Sequence, residues 1–274
     1  MDYLMESPEE TRRLDIKTDP EAVRKQALWA GIKPGMRVAD LGCGSGKTSS
    51  ILRDLVLPGG EVIGVDFVSE RCRYARENYN GSGLRFECLD MRKPLEALGT
   101  FDLVWIRFVL EYYLSSSFEI LKNILSIIKP GGLCCLIDLD HNCLSHYGLS
   151  ENLNKTLLEI MGLVQQKADF DPYAGRKLYS FLYDLGFEDI EVAISAHHLI
   201  FGEIKEEDAF NWLKKTEVGP RKIGYRFPAY NGSREAFKKD FLDFFHDPRR
   251  FTYTPLISCR GRKPFPSEFL PKQI

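Results

Sequence analysis

Little in this chain points to an extreme environment. No uncharged apolar run approaches the roughly 18 residues that a membrane-spanning helix needs. The stretch Met1–Thr11 is acidic and has no apolar segment of the kind a secretory leader carries. No Cys-x-x-Cys pair occurs, and the seven cysteines are an odd number scattered through apparent strands and helices. That pattern argues for buried free thiols rather than zinc or a disulfide framework. Cys134 and Cys135 are neighbours on one strand and so point to opposite faces. Strong charge of one sign is also missing: 37 basic and 39 acidic side chains leave a formal net charge of −2. Such a balance gives no global drive toward nucleic acid or an anionic membrane, and Arg249-Arg250 and Arg260, Arg262 and Lys263 read as solvated surface. There is no internal repeat and no low-complexity tract. The expectation is a soluble, cytoplasmic protein without a membrane span, and a length of 274 residues is enough for a large core in one or two domains of roughly 150 residues.

What is present begins with Val38–Thr48, reading Val-Ala-Asp-Leu-Gly-Cys-Gly-Ser-Gly-Lys-Thr. An apolar strand runs into a turn through Gly42, Gly44 and Gly46 and then into a helix with Ile51, Leu52 and Leu55 on one face. Glycines let the backbone approach a ligand closely, and a helix N-terminus offers unpaired N–H groups. Spacing separates the ligands that use such a turn. A phosphate-binding P-loop places Gly five residues before its Gly-Lys-Ser/Thr, and here that place is Leu41 rather than Gly, although Gly46-Lys47-Thr48 and the acidic strand residue Asp138 imitate it. A dinucleotide fingerprint is Gly-x-Gly-x-x-Gly, and Lys47 stands where the third glycine belongs.

Asp-Leu-Gly-Cys-Gly-Ser-Gly instead resembles the first motif of class I S-adenosylmethionine-dependent methyltransferases. The segments that follow are similar to the small-molecule branch of that family that includes ubiquinone and menaquinone biosynthesis enzymes. They are a strand Glu61–Val65 ending at Asp66, a strand Leu84–Leu89 ending in Asp90-Met91, Phe-Asp-Leu-Val at Phe101–Val104, and Lys-Pro-Gly-Gly at Lys129–Gly132 before an apolar strand. The resemblance covers roughly Ile32–Asp140. It implies a doubly wound α/β fold with seven strands, mostly parallel, the last one antiparallel. It implies S-adenosyl-L-methionine as cofactor, held by the motif residues Asp40, Gly42, Cys43, Gly44 and Gly46. Asp66 would take the ribose hydroxyls, Phe67 would pack on the adenine ring, and Asp90 with the Met91 backbone N–H would meet the adenine amino group. In the family an N-terminal segment often folds over the cofactor, which would bring Arg12 or Arg13 to its carboxylate. Independently of any family, the strand–helix alternation argues for a parallel sheet flanked by helices.

The remaining expectations concern organisation and chemistry. Residues 1–31 read as an N-terminal helical arm, with a helix over Asp19–Ala30 started by Asp19 and Pro20 and ended by Gly31. The core spans 32–202, with its sixth strand at Glu188–Ser195. An inserted helical cap follows at 203–248, and 249–274 holds the last strand, Thr252–Ser258, where Pro255 suits an edge or an irregular position. A crevice should form at the carboxyl ends of the strands where their order reverses. Arg107, Glu111, Tyr112, Tyr113, His141 and His146 follow the fourth and fifth strands there. Arg107 is assigned to the cofactor side, and His141 or His146 is the candidate base for a phenol or hydroxyl. His197 and His198 alternate on one strand, so no more than one of them should face a pocket, and a two-His metal site is not expected. The Asn/Asp-Pro-Pro-Tyr/Phe signature of adenine-N6 and glutamine methylation is missing, since Ile106-Arg107-Phe108-Val109 stands in its place. Arg107 also argues against aminopropyl transfer. Cap aromatics such as Trp212, Tyr225, Phe227 and Tyr230 suit a hydrophobic or aromatic small molecule. The competing readings are a P-loop-like nucleotide-binding protein, a non-catalytic S-adenosylmethionine-binding regulator and an NAD-dependent oxidoreductase.

Overall fold

Val38, Ala39 and Leu41 are all completely buried although they alternate in direction, which is the mark of a strand covered on both faces. That strand, β1 (Arg37–Leu41), is the centre of an eight-stranded sheet in a computed structural model that describes residues 8–266. Parts of the expected arm and tail, residues 1–7 and 267–274, lie outside the described residues. The other strands are β2 (Glu61–Asp66), β3 (Leu84–Cys88), β4 (Phe101–Arg107), β5 (Ile128–Leu139), β6 (His146–Tyr147), β7 (Glu188–Phe201) and β8 (Phe251–Arg262). The order is β3-β2-β1-β4-β5-β8, with β7 on the far side of β8. The short β6 pairs with the start of β8, beyond the end of β5. Strands β1 to β5 run parallel, and β8 lies antiparallel between β5 and β7. This is the doubly wound fold expected, with β6 as a two-residue addition.

Helices cover both faces. Helices α1 (Pro8–Lys17), α2 (Pro20–Ala30) and α3 (Lys47–Val56) precede α4 (Ser69–Asn78) and α5 (Ser117–Ile124). Then come α6 (Glu151–Ala168), α7 (Leu178–Asp184), α8 (Glu206–Ile223) and α9 (Arg234–His246). Helix α2 begins as its sequence dictates: the Asp19 carboxylate accepts the Glu21 N–H at 2.9 Å, and Gly31 ends it at φ 93°. Val23 and Ala27 of α2 and Leu52 of α3 pack with Leu103, Trp105 and Cys135 on one face of the sheet. Val104, Ile106 and Cys134 pack with Ile120, Ile124 and Leu178 on the other. Cys134 and Cys135 therefore do point apart, and both are buried because neither face is wet. All seven cysteines are free thiols. Among the described residues no helix is long and apolar enough to cross a membrane.

A third core stands apart from the sheet. Trp212, Phe227, Phe237, Phe241, Phe244 and Phe245 interdigitate with Leu153, Leu157, Ile160 and Val164 of α6. The helical layer is thus built from the insertion between β7 and β8 together with α6, which precedes β7. Helix α8 runs on to Ile223 and takes Pro220 into its last turn. Phe241 is almost completely buried, with aromatic neighbours at 6.1 Å (Phe237) and 4.8 Å (Phe245). Phe241→Ala should therefore lower unfolding free energy by about 3–5 kcal/mol, read as a fall in the urea midpoint with an unchanged slope.

Candidate functional site

The turn after β1 is fastened to the end of β2. The N–H groups of Gly42 and Cys43 both donate to Val65 O, at 2.7 and 3.0 Å. The N–H of Gly44 donates to Asp66 Oδ2 at 3.0 Å, and Val68 N–H donates to Asp66 Oδ1 at 3.0 Å. Asp66 is buried, with the Arg71 guanidinium 3.8 Å away. A carboxylate so oriented keeps lone pairs directed into the cleft while its own charge is held by donors. Gly42 has φ 78°, and a Cβ there would lie 2.4 Å from Val109 Cγ2, so only glycine fits. Gly46, at φ 88°, serves packing instead: its missing Cβ would meet Ala75 at 2.7 Å and the Phe86 ring at 2.9 Å. Lys47, which a P-loop would turn toward phosphate, donates from Nζ to the carbonyl of Asp15 on α1 at 2.8 Å.

Two adjoining cavities open at the carboxyl ends of the strands beside β1 and β4, where the order reverses. The smaller, about 100 Å³, is lined by Gly42, Cys43, Gly44, Asp66, Phe67, Met91 and Arg107, with Leu14 of α1 and Thr18 just after it above. The larger, about 220 Å³, lies under the helical layer and is lined by Leu157, Ile160, Met161, Trp212, Phe237 and Phe241 among others. Leu14, Thr18, Arg107, Phe108 and Tyr112 border both, so the two chambers share a wall.

Charge is concentrated at that wall. Arg107 donates from Nε to Gln26 Oε1 at 2.9 Å and lies 4.1 Å from the centre of the Phe108 ring. Burial lowers its pKa to about 10, opposed by Asp40, Asp19 and Asp138, so it remains a cation at neutral pH. Asp40 is raised to about 7 by burial, opposed by the Ser49 hydroxyl, which donates to it at 2.6 Å, and by Arg107. Asp138 is pushed well above the usual carboxylate range, first by burial and then by repulsion from Glu111. Glu111 is itself buried, lines the larger chamber and accepts the Asn142 amide at 2.9 Å. This acid, anchored between β4 and β5, drew no role from the sequence beyond its position.

Of the residues assigned to the cofactor, seven line the smaller chamber: Gly42, Cys43, Gly44, Asp66, Phe67, Met91 and Arg107. Four do not. Asp40 faces Ser49 behind the loop, and Gly46 packs on α4 and β3. The Asp90 carboxylate is taken by Arg92, whose Nε and Nη2 donate to it at 2.9 and 2.8 Å, lowering its pKa. Arg12 is exposed, while Arg13 and Lys17, one turn apart, share the inward face and line the larger chamber. The two candidate bases also miss both chambers. His146 has both ring nitrogens committed, Nδ1 to the Thr252 hydroxyl at 2.9 Å and Nε2 to Cys143 O at 3.1 Å. His141 packs edge-on against Tyr173, ring centroids 5.2 Å apart. Conversely, His197 and His198 both line the larger chamber. The expectation that only one could is overturned by a register shift between Ala196 and His198 in the pairing of β7 with β8. The signal for it was Pro255, which lies opposite Ala196.

The Asp40 carboxyl has a measurable consequence. Its folded pKa of about 7 exceeds the ordinary aspartate value of 3.8. Between those values the native state keeps a proton that the unfolded chain has released, so stability falls as pH rises through the window. Asp40→Asn should flatten the decline of the thermal midpoint between about pH 4 and pH 7, and calorimetric scans across that range check it.

A family model described as a methyltransferase domain matches residues 32–186. A demethylmenaquinone methyltransferase of Lactococcus lactis subsp. lactis is 32% identical over 142 residues, covering 49% of this chain and 54% of that protein. A ubiquinone/menaquinone biosynthesis C-methyltransferase of Shewanella sediminis is 25% identical over 203 residues, covering 65% of this chain and 80% of that one. For several curated relatives the match spans about half of their length or less. Among solved structures, a cyclopropane-fatty-acyl-phospholipid synthase-like protein from Lactobacillus casei has the same fold, with a TM-score of 0.58 at 17% identity over 88% of this chain and 90% of that one. With a glycine turn pinned to Asp66 at the reversal of the sheet, and a family model that takes in more than half of its length, this chain belongs to the methyltransferase-domain family.

Proposed function

We infer that the protein is an S-adenosylmethionine-dependent methyltransferase acting on a small, largely apolar acceptor. One observation carries the reading: a glycine-lined chamber with a buried, backbone-oriented carboxylate shares a wall with a larger apolar chamber. The first has the donors and shape for an adenosyl group. Asp66 would accept from vicinal hydroxyls, and Gly42 and Gly44 bring backbone to the edge of the chamber. Phe67 would lie along the base, the Met91 backbone would meet its edge, and Arg107 at the shared wall suits the amino-acid carboxylate. A bound S-adenosylmethionine supplies a methyl group already activated on a sulfonium.

The chain's own residues then align and enclose. Holding two reactants in line contributes up to roughly 7–11 kcal/mol, more than a general base usually does. Leu14 of α1 and Thr18 just after it border both chambers, and α6, α8 and α9 wall the larger one. Their largely apolar side chains leave few polar groups around the shared wall, which strengthens the electrostatics there. We assign the cap role to this helical layer and the arm role to α1. Aliphatic and aromatic walls suit a hydrophobic or aromatic acceptor, and the near-neutral net charge gives no general attraction for nucleic acid. Seven free thiols fit a reducing compartment such as the cytosol.

Asp66→Ala should weaken S-adenosylmethionine binding by about 10- to 100-fold, the worth of a charge-assisted hydrogen bond, with the circular dichroism spectrum unchanged. Unaltered affinity by titration calorimetry would remove Asp66 from the site. Lys47→Ala should leave the protein without measurable ATP–magnesium binding, as in the parent. Tight ATP binding in the parent that this variant loses would favour the nucleotide-binding alternative instead.

A further inference from the structure

The histidine pair on β7 is placed by a defect in the sheet. Proline offers no N–H to a neighbouring strand, so a proline inside a sheet is confined to edges and bulges. Pro255 occupies β8, an interior strand, and stands opposite Ala196. The register then skips, and His198 pairs with Thr254. The extra residue in β7 is His197. A bulge of this kind turns consecutive side chains toward the same side, which a regular strand forbids. Both imidazoles accordingly line the larger chamber, with ring centroids 4.3 Å apart.

Their neighbours give them different standing. His198 is anchored from the sheet side, its Nδ1 lying 3.3 Å from the hydroxyl of Thr254, which is fully buried. His197 packs on the Phe108 ring, centroids 4.9 Å apart, and Phe108 belongs to the wall between the chambers. The imidazole next to the partition is therefore His197, and His198 supports it from behind. The charged groups that face the same chamber are Arg107 and Glu111 from the β4 side and Arg13 and Lys17 from α1. Among the described residues, α6, α8 and α9 present no ionisable side chain to it.

We propose that His197 is the proton acceptor for an acceptor molecule bearing an acidic O–H, a phenol or enol on an apolar body, and that His198 is its positioning residue. The inference rests on the methyltransferase reading above. A phenol has a pKa near 10 and an imidazole near 6.5, so at neutral pH the base is present while the nucleophile is not. In the step, the O–H bond breaks and its proton passes to a ring nitrogen of His197. The oxygen lone pair forms the bond to the methyl carbon as the methyl–sulfur bond breaks, and that bonding pair stays on sulfur. S-adenosylhomocysteine and the methyl ether leave, and the proton is released to solvent. An amine acceptor attacks through its own lone pair and has no need of such a base before transfer. Cationic Arg107 beside the partition favours the oxyanion further.

The test uses the full-length protein with 2-naphthol as probe and 2-naphthylamine as its isosteric control. Labelled S-adenosylmethionine should methylate naphthol in preference to naphthylamine, with kcat/KM rising with pH through the imidazole pKa. His197→Ala should lose about 100-fold or more, recover in part with added imidazole, and bind S-adenosylmethionine as the parent does by calorimetry. His198→Gln should raise KM while keeping the acid limb of the profile. Preference for naphthylamine, no methylation of naphthol by a protein that binds the cofactor, or full activity in His197→Ala would each overturn the proposal. A parent protein that binds no cofactor would take down the methyltransferase reading, and the inference with it.

Discussion

The hydrogen bond from Gly44 N–H to the Asp66 carboxylate joins two segments that arrive from different strands, and the geometry of the site follows from it. Buried charge is tolerated in a protein only where donors compensate it. Asp66 meets that condition by taking the N–H of Gly44 on one side and of Val68 on the other. The same bond, with the two from Gly42 and Cys43 to Val65 O, sets the turn after β1 against the end of β2. With that turn fixed, α3 starts where Gly46 packs between Ala75 and Phe86, and α1 can settle over the loop, Leu14 beside Gly44 and Asp15 against Lys47. Charge compensation, backbone conformation and the roof of the cavity are one connected arrangement.

The wall between the chambers is held by a second, costlier balance. Arg107 sits where desolvation opposes its charge, and the acids that support it, Asp40 and Asp138, are themselves desolvated. Three buried ionisable groups rarely contribute net stability. Their presence is better understood as placement, with Arg107 clamped by Gln26 and the Phe108 face on the boundary of both cavities. A cation fixed there, itself largely desolvated, acts in a lowered dielectric on whatever charge develops at the partition.

Most of the fold and most of the lining of the smaller chamber were legible in the sequence because they depend on local rules. Glycine spacing, the strand end at Asp66 and the apolar runs of β1 to β5 are each readable within a window of about ten residues. The lining of the larger chamber was not, and the differences share a cause. Arg12 against Arg13 is a question of helix rotation, decided by which face of α1 meets the larger chamber. His146 reads as a base until β6 pairs with β8 and brings Thr252 to its ring. The helical layer was expected from the insertion alone, because nothing in α6 announces that Leu153 and Leu157 pack on Phe241 rather than on the sheet. All of these are long-range contacts, and propensity is silent about them.

Pro255 is the instructive case, since it was noticed and its partner was not. Within β8 a proline signals irregularity, but the consequence falls on β7, some sixty residues earlier. Taken alone, Ser195-Ala196-His197-His198-Leu199 is an ordinary alternating strand and divides its histidines between two faces. Paired with a strand that withholds one donor, it gains a bulge and collects both on one face. The rule that alternate residues face alternate sides holds only while the ladder is unbroken. A proline in one strand is therefore information about the side chains of its neighbour, and function located at such a break is visible only once the pairing is known.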